Sequence, residues 1–337
     1  MNQTNIYLCG DIGGTYSRLK LYMNSTNEMK DFEILYSQKY MNNEFDQFED
    51  ILTHFIRETN MESFPCISLA CAGPVINDTV QFSNISWTIN KQHLEKTYNT
   101  KVYLLNDFEA CGYGIQLLKE NEVIILNKGV KQENGVKCCI GAGTGLGQCF
   151  IANNQCFQSE GGHCDFSPEN TIEYELQNFI QTKFNKNATI ENIVSGTGIV
   201  IIYEFFSIKY PKQVDNTLHE DIKKSNVKAK IISSSTDTLC IKTMELFFKH
   251  YGKEIRNSCL KWLPYGGCYV TGGLTPRFID YLQDPYQIFM KSIFQDHLHH
   301  VISSIPIYGI LTPILMVLAP FIFMKYYFKK SITFSLY

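Results

Sequence analysis

The chain alternates between short apolar runs that halt at glycine and longer stretches with apolar residues three and four apart. Residues 6–8 are apolar and stop at Gly10-Asp11-Ile12-Gly13-Gly14-Thr15, and residues 18–23 alternate, as the return strand of a hairpin does. Phe45, Phe48, Ile51, Leu52 and Phe55 keep helical spacing and predict a helix over residues 45–58. Residues 66–72 read as a buried strand ending at Gly73-Pro74, and residues 102–105 as another ending at Asn106-Asp107, with a helix over 108–118. The character then repeats. Residues 136–140 run as a strand into Gly141-Ala142-Gly143-Thr144-Gly145-Leu146-Gly147, and residues 149–151 return. Strand, glycine turn and strand therefore occur twice, which reads as an internal duplication. Helical spacing dominates residues 171–206, residues 209–235 are polar without a period and read as a surface excursion, and residues 238–263 form a long amphipathic helix. Residues 268–271 are a last strand before Gly272-Gly273.

Strands interleaved with helices predict an α/β protein. A length of 337 residues exceeds what one ordinary core organises, so two domains with a cleft between them are expected, one over residues 1–110 and a larger one over 111–310. The formal charge of −3 and the lack of a Lys/Arg cluster argue against a nucleic-acid partner. The twelve cysteines contain no C-x-x-C pair, so neither a zinc site nor a disulfide framework is expected. The N-terminus is polar and enters a strand at once, which reads as a cytoplasmic chain with free thiols.

Glycines after a strand let backbone N–H groups approach an anion, and Asp11 suits such a loop only if Mg²⁺ stands between it and phosphate. An ordinary tight hairpin explains the same residues. The second loop fits neither the dinucleotide fingerprint nor the Walker pattern. Two such loops suit a phosphate chain held from two sides; two unrelated hairpins remain the alternative. A carboxylate at a strand end, as Asp107 is, can take a proton from a hydroxyl nucleophile, although Asn106-Asp107 also reads as a helix cap. Glu160-Gly161-Gly162-His163 places an acceptor and an imidazole around a flexible pair, a set that suits neighbouring sugar hydroxyls. Glu191 supplies either a second carboxylate or a solvated helix residue. Gly272-Gly273 leaves room for a flat base or simply turns the chain.

The order of these pieces is more specific than any one of them. GDIGGTYSRL, LNDFEACGYG, GAGTGLGQ, EGGHCDFSP, ENIVSGTGIVIIYE and VTGGLTPRF follow one another over roughly residues 5–310, and together they resemble the bacterial-type glucokinase family of the hexokinase–actin–Hsp70 ATPase superfamily. The resemblance implies a two-domain actin/hexokinase-like, ribonuclease H-like fold with the active-site cleft between the domains. It implies transfer of the γ-phosphoryl group of MgATP to the 6-hydroxyl of glucose, with Asp107 as the general base. Asn106, Asp107, Glu160, His163 and Glu191 would bind the sugar. Gly10, Asp11, Gly13, Gly14 and Thr15, with Gly143, Thr144 and Gly145, would hold the phosphates, Asp11 on the Mg²⁺ side through water, and Gly272 and Gly273 would meet adenosine. A cytoplasmic homodimer taking glucose and ATP is implied. The repressor–ORF–kinase branch carries zinc-binding cysteines soon after the histidine; here no cysteine follows Cys164 until Cys240, so zinc is not expected. A kinase for mannose, fructose or an amino sugar, or a weakened sugar sensor on the same fold, is the alternative reading.

The tail departs from the family. Residues 311–323 lose the expected glycine and polar residues and read as an atypical apolar segment broken by Pro313 and Pro320. Three readings compete: a membrane anchor, an altered packed helix, and a shifted reading frame or misread splice. An AT-rich back-translation from Leu311, read from the last base of that codon, gives NTNLNGVSSIYFYE, which restores a polar turn and a glycine. Membrane association is expected only if the apolar tail is a true anchor.

Overall fold

The computed structural model describes residues 6–24, 32–61, 63–82, 85–115, 118, 120–284, 287–295 and 297–311. The apolar tail expected over residues 311–337 lies, from residue 312 on, outside the described residues. The chain forms two compact units divided between Lys119 and Glu120.

The first unit carries β1 (Ile6–Ile12), β2 (Tyr16–Asn24), β3 (Phe32–Met41), α1 (Phe48–Thr59), β4 (Cys66–Cys71), β5 (Val75–Ile76), β6 (Thr79–Gln81), β7 (Thr88–Asn90), α2 (Lys91–Tyr98), β8 (Lys101–Asn106) and α3 (Asp107–Gly114). Its main sheet has the order β3-β2-β1-β4-β8, and β5-β6-β7 form a small separate sheet. β2 is antiparallel to both β1 and β3, whereas β1, β4 and β8 run parallel. The helix predicted over 45–58 is α1, which buries Phe48, Ile51, Leu52 and Phe55. β4 is buried at every position, as a central parallel strand must be. The helix predicted to run to 118 is shorter: α3 ends at Gly114, in a stretch weakened by Gly112 and Gly114.

The second unit carries β9 (Val123–Asn127), β10 (Lys137–Ala142), β11 (Leu146–Ala152), β12 (Gln155–Ser159), α4 (Thr171–Phe184), α5 (Gly196–Lys209), α6 (Asn216–Lys224), α7 (Lys228–Ser234), α8 (Thr238–Trp262), β13 (Gly267–Thr271), α9 (Ile279–Gln283), α10 (Ile288–Phe294), α11 (His299–Ser303) and β14 (Ile307–Ile310). Its sheet order is β12-β11-β10-β13-β14-β9. β10 is antiparallel to β11 and parallel to β13, and β13 is parallel to β14. Each unit thus contains a three-strand antiparallel meander whose first strand pairs with one parallel strand, which pairs in turn with a second. The duplication expected from the two glycine turns is present as topology, with β9 added antiparallel on the edge of the second sheet. α8 is the long helix predicted over 238–263; Leu239, Phe247, Tyr251 and Ile255 lie in the core beneath it. The segment read as a surface excursion instead contains α6 and α7. Asp215 caps α6 at the Leu218 N–H, and each helix buries one isoleucine, Ile222 and Ile232, too few to leave a periodic stripe.

Candidate active site

In the first unit the candidate residues gather along the carboxyl ends of the parallel strands. Register places Ile12 beside Cys71 and Cys71 beside Asn106. The turn after β1 and the Asn106-Asp107 step after β8 therefore share one edge of the sheet, the position where open α/β sheets present ligand sites. The buried Cys71 thiol is pushed up by burial first, and then by the nearby negative charges of Asp107 and Asp11.

Gly13 closes the first turn by donating its N–H to Tyr16 O at 3.0 Å. The N–H groups of Gly14 and Thr15 take no part in closing it. Asn42 clasps the loop from below: its Nδ2 donates to Gly13 O at 2.8 Å, its N–H donates to Thr15 O at 3.0 Å, and Ser17 Oγ donates to its Oδ1 at 2.8 Å. Asn42 is buried and escaped the sequence reading, because one asparagine in an asparagine-rich chain carries no signal. Gly10 has a packing explanation of its own. It lies inside β1, and a Cβ there would come within 2.8 Å of Leu19 and of Leu69. Asp11 is buried and accepts from Arg18 Nη1 at 3.0 Å. Burial pushes its carboxyl up, and Arg18 and then Lys20 pull it part of the way back.

Asn106 is the N-cap of α3. Its Oδ1 accepts from the N–H groups of Phe108 at 2.9 Å and Glu109 at 3.3 Å, and its Nδ2 donates to Gly73 O at 3.1 Å. One amide hydrogen of the side chain is left for a ligand. Asp107 is half-buried, with Oδ1 accepting from the Phe108 N–H at 2.8 Å.

The second unit repeats the cradle. Gly143 donates its N–H to Gly145 O at 2.8 Å, and Thr144 stands exposed at the tip. A Cβ on Gly143 would find its nearest neighbour at Gly273 N, 4.0 Å away, so the loop and the Gly272-Gly273 turn lie together. The two glycines of that turn differ. Gly272 has φ +90°, and a Cβ there would lie 2.4 Å from Ala142 O; a Cβ on Gly273 would meet nothing within 4 Å.

Glu160 and His163 bracket the 3-10 turn Gly161–His163 and are presented together to solvent, with Oε2 and Nε2 3.6 Å apart. The glycines between them are required by β11: a Cβ on Gly161 would lie 2.4 Å from Gln148 Oε1, and one on Gly162 2.1 Å from Leu146 O. Glu191 is placed on the second loop, where its Oε2 accepts from the Leu146 N–H at 2.8 Å. In this unit the fold therefore brings together Gly143, Thr144, Gly145, Glu191, Gly272 and Gly273, and the packing of Gly162 on Leu146 ties Glu160 and His163 to the strand that follows the loop.

A separate polar cavity of about 370 Å³ is lined by Lys249, Lys253 and Arg256 of α8. Its charges are already engaged: Glu169 pairs with both lysines, and Arg256 donates to the carbonyls of Ser292 and Gln295. Among the described residues, no cluster of three or more His, Cys, Asp or Glu side chains is arranged to hold a metal ion. Among them too, no helix is long and apolar enough to cross a membrane.

The chain is 33% identical over 328 residues to a glucokinase of Nostoc punctiforme, covering 91% of this chain and 95% of the relative. It is 33% identical over 305 residues to a glucokinase of Synechocystis, covering 82% and 86%. Among solved structures, the glucokinase of Balamuthia mandrillaris in complex with glucose superposes with a TM-score of 0.78 at 20% identity, over 96% of this chain and 94% of that one. A ROK family glucokinase from Streptomyces griseus in complex with glucose and AMPPNP gives 0.64 at 18% identity, over 94% and 97%. These likenesses show the actin/hexokinase-like sugar-kinase fold. The glucokinase family model matches residues 8–319, and with relatives of this identity along nearly the whole chain, the chain belongs to the glucokinase family.

Proposed function

We propose that the protein is an ATP-dependent glucose kinase, which moves the γ-phosphoryl group of ATP to the 6-hydroxyl of glucose. The observation that carries this reading is the shared strand edge in the first unit, where Asp107 and the glycine turn at Gly13-Gly14-Thr15 flank Cys71. A base and a phosphate cradle on one rim are the two elements that phosphoryl transfer asks of a protein.

Asp107 takes the proton of the 6-hydroxyl as that oxygen attacks the γ-phosphorus, and ADP leaves with the electrons of the broken P–O bond. Its half-buried place at the start of α3 holds the carboxylate still. Asn106 offers its remaining amide hydrogen to the sugar. Glu160 and His163, presented side by side, receive and donate hydrogen bonds to neighbouring hydroxyls, and Glu191 adds an acceptor. The N–H groups of Gly14, Thr15, Thr144 and Gly145 point the two cradles at phosphate oxygens, and the open space over Gly273 admits the adenine.

Magnesium fits this donor set. One buried carboxylate, Asp11, on the strand that leads into the first glycine turn suits an ion that keeps several waters and takes its other oxygens from phosphates. When bound, Mg²⁺ would neutralise the charge of the phosphate chain. We take the working form to be a cytoplasmic homodimer, as the family resemblance implies; sedimentation of the full chain reads this directly, and a monomer at assay concentration would contradict it.

Steady-state assays with MgATP over glucose, mannose, fructose and an amino sugar test the substrate. The highest kcat/KM is expected with glucose. A higher value with another hexose would move the specificity, and no turnover with any of them would overturn the kinase reading.

A further inference from the structure

The block ENIVSGTG is not accounted for by sugar binding alone. Three groups in it hold the second glycine loop. Gly196 donates its N–H to Gly143 O at 2.8 Å, and Thr197 Oγ1 donates to Thr144 O at 3.1 Å. Glu191 Oε2 accepts from the Leu146 N–H at 2.8 Å, and the missing Cβ of Gly145 would lie 2.5 Å from the same oxygen. The segment is itself braced: Ser195 Oγ donates to Glu191 O at 2.7 Å and accepts from the Gly198 N–H at 2.8 Å, capping α5. A loop of residues 143–145 thus has its carbonyls fixed from one side and the N–H after it fixed by a carboxylate.

We propose that Glu191 is a positioning residue of the second glycine loop, so that nucleotide affinity depends on its carboxylate even when no sugar is bound. A hydrogen bond to a charged acceptor is stronger than one between neutral groups, and fixing the loop in advance removes part of the ordering cost of binding. A side chain at position 145 would displace that carboxylate. Where Glu191 is also a sugar ligand, which rests on the function proposed above, one carboxylate links the sugar to the loop that holds the nucleotide. Any coupling between the two ligands through it is then reciprocal.

The test is calorimetric titration of a non-hydrolysable ATP analogue with Mg²⁺ into the full chain without sugar, and of glucose without nucleotide. Wild type, Glu191→Ala, Glu191→Gln and Thr197→Val are compared, with thermal unfolding as the check on folding. Glu191→Ala is expected to weaken the analogue about tenfold. Glu191→Gln should recover most of that loss, because its amide oxygen still accepts from Leu146. Thr197→Val, which loosens the loop from a different residue, should weaken the analogue roughly threefold and leave glucose unchanged. Analogue weakening with unchanged glucose in Glu191→Ala supports the proposal and removes Glu191 from the sugar ligands. Glucose weakening with unchanged analogue overturns the proposal and leaves the sugar assignment standing. If Glu191→Ala does not fold, unchanged analogue affinity in Thr197→Val overturns the proposal, and a loss there supports it.

Discussion

Gly272 and Gly273 are neighbours with opposite reasons to be glycine. At Gly272 a side chain would be strained by φ +90° and would meet Ala142 O at 2.4 Å; at Gly273 it would meet nothing. Gly272→Ala is therefore expected to cost about 2 kcal/mol or more of folding stability. Gly273→Ala should leave the melting temperature unchanged and raise KM for ATP, because only a bound nucleotide needs that space. Melting curves and ATP titrations of the two variants separate the cases, and equal stability losses would contradict the assignment. Asp11 gives a second residue-scale prediction. Its folded pKa is raised, so the native state binds more protons than the unfolded chain just above the ordinary value of 3.8, and this group's contribution to stability falls as pH rises through that window. Asp11→Asn should gain stability over wild type across that rise, hold the gain at neutral pH, and lose phosphoryl transfer. A variant less stable than wild type at pH 7 would contradict it. The sequence exposed all three of these residues, since glycine pairs and a carboxylate in a glycine turn stand out. It did not expose Arg18 on Asp11 or Asn42 under the first loop, because each partner lies on a neighbouring strand or turn and follows no local spacing.

Among the elements, α4 and α8 are joined by one buried carboxylate. Glu173 accepts from the Glu169 N–H at 2.7 Å, from Asn170 Nδ2 at 2.9 Å and from Lys249 Nζ at 2.6 Å, and His250 Nε2 lies 3.3 Å away. Burial raises the Glu173 carboxyl, but the close His250 ring and the hydrogen bond from the Lys249 ammonium outweigh it and hold the group well below its ordinary value. A depressed folded pKa contributes stability above the unfolded value that is lost as pH falls below about 4.5. Glu173→Gln should cost about 3 kcal/mol at neutral pH and flatten the acid limb of the stability curve. A parallel, unflattened limb in the variant would show that another group controls acid unfolding. Elements with a strong apolar period were legible: β1, β4, β10, β13, α1 and α8 all came from periodicity or buried runs. β3 was not, because it is a sheet edge with Ile34 and Leu35 exposed and no inward stripe. α6 and α7 were hidden for a related reason, since each buries a single isoleucine.

At the scale of the molecule, the same strand order occurs in both units, and each repeat places a glycine turn after its first strand. The sequence revealed the repeat through those turns but divided the chain at residue 110, before α3 was complete; the units divide between Lys119 and Glu120. α3 stays with the first unit because Asn106 caps it while bonded to Gly73, behind β4. The candidate site was readable as six ordered blocks, and what sequence could not supply was the division of labour inside them: Gly10, Gly161 and Gly162 meet packing demands, while Glu191 grips a loop. Asp107 as the base of a glucose kinase is tested most directly by glucose 6-phosphate formation in wild type and Asp107→Asn at saturating MgATP, paired with glucose titration of both. Wild type should turn over and Asp107→Asn should lose at least about 10²-fold in kcat while binding glucose nearly as well. Wild-type turnover in Asp107→Asn, or none in the native chain, would contradict it.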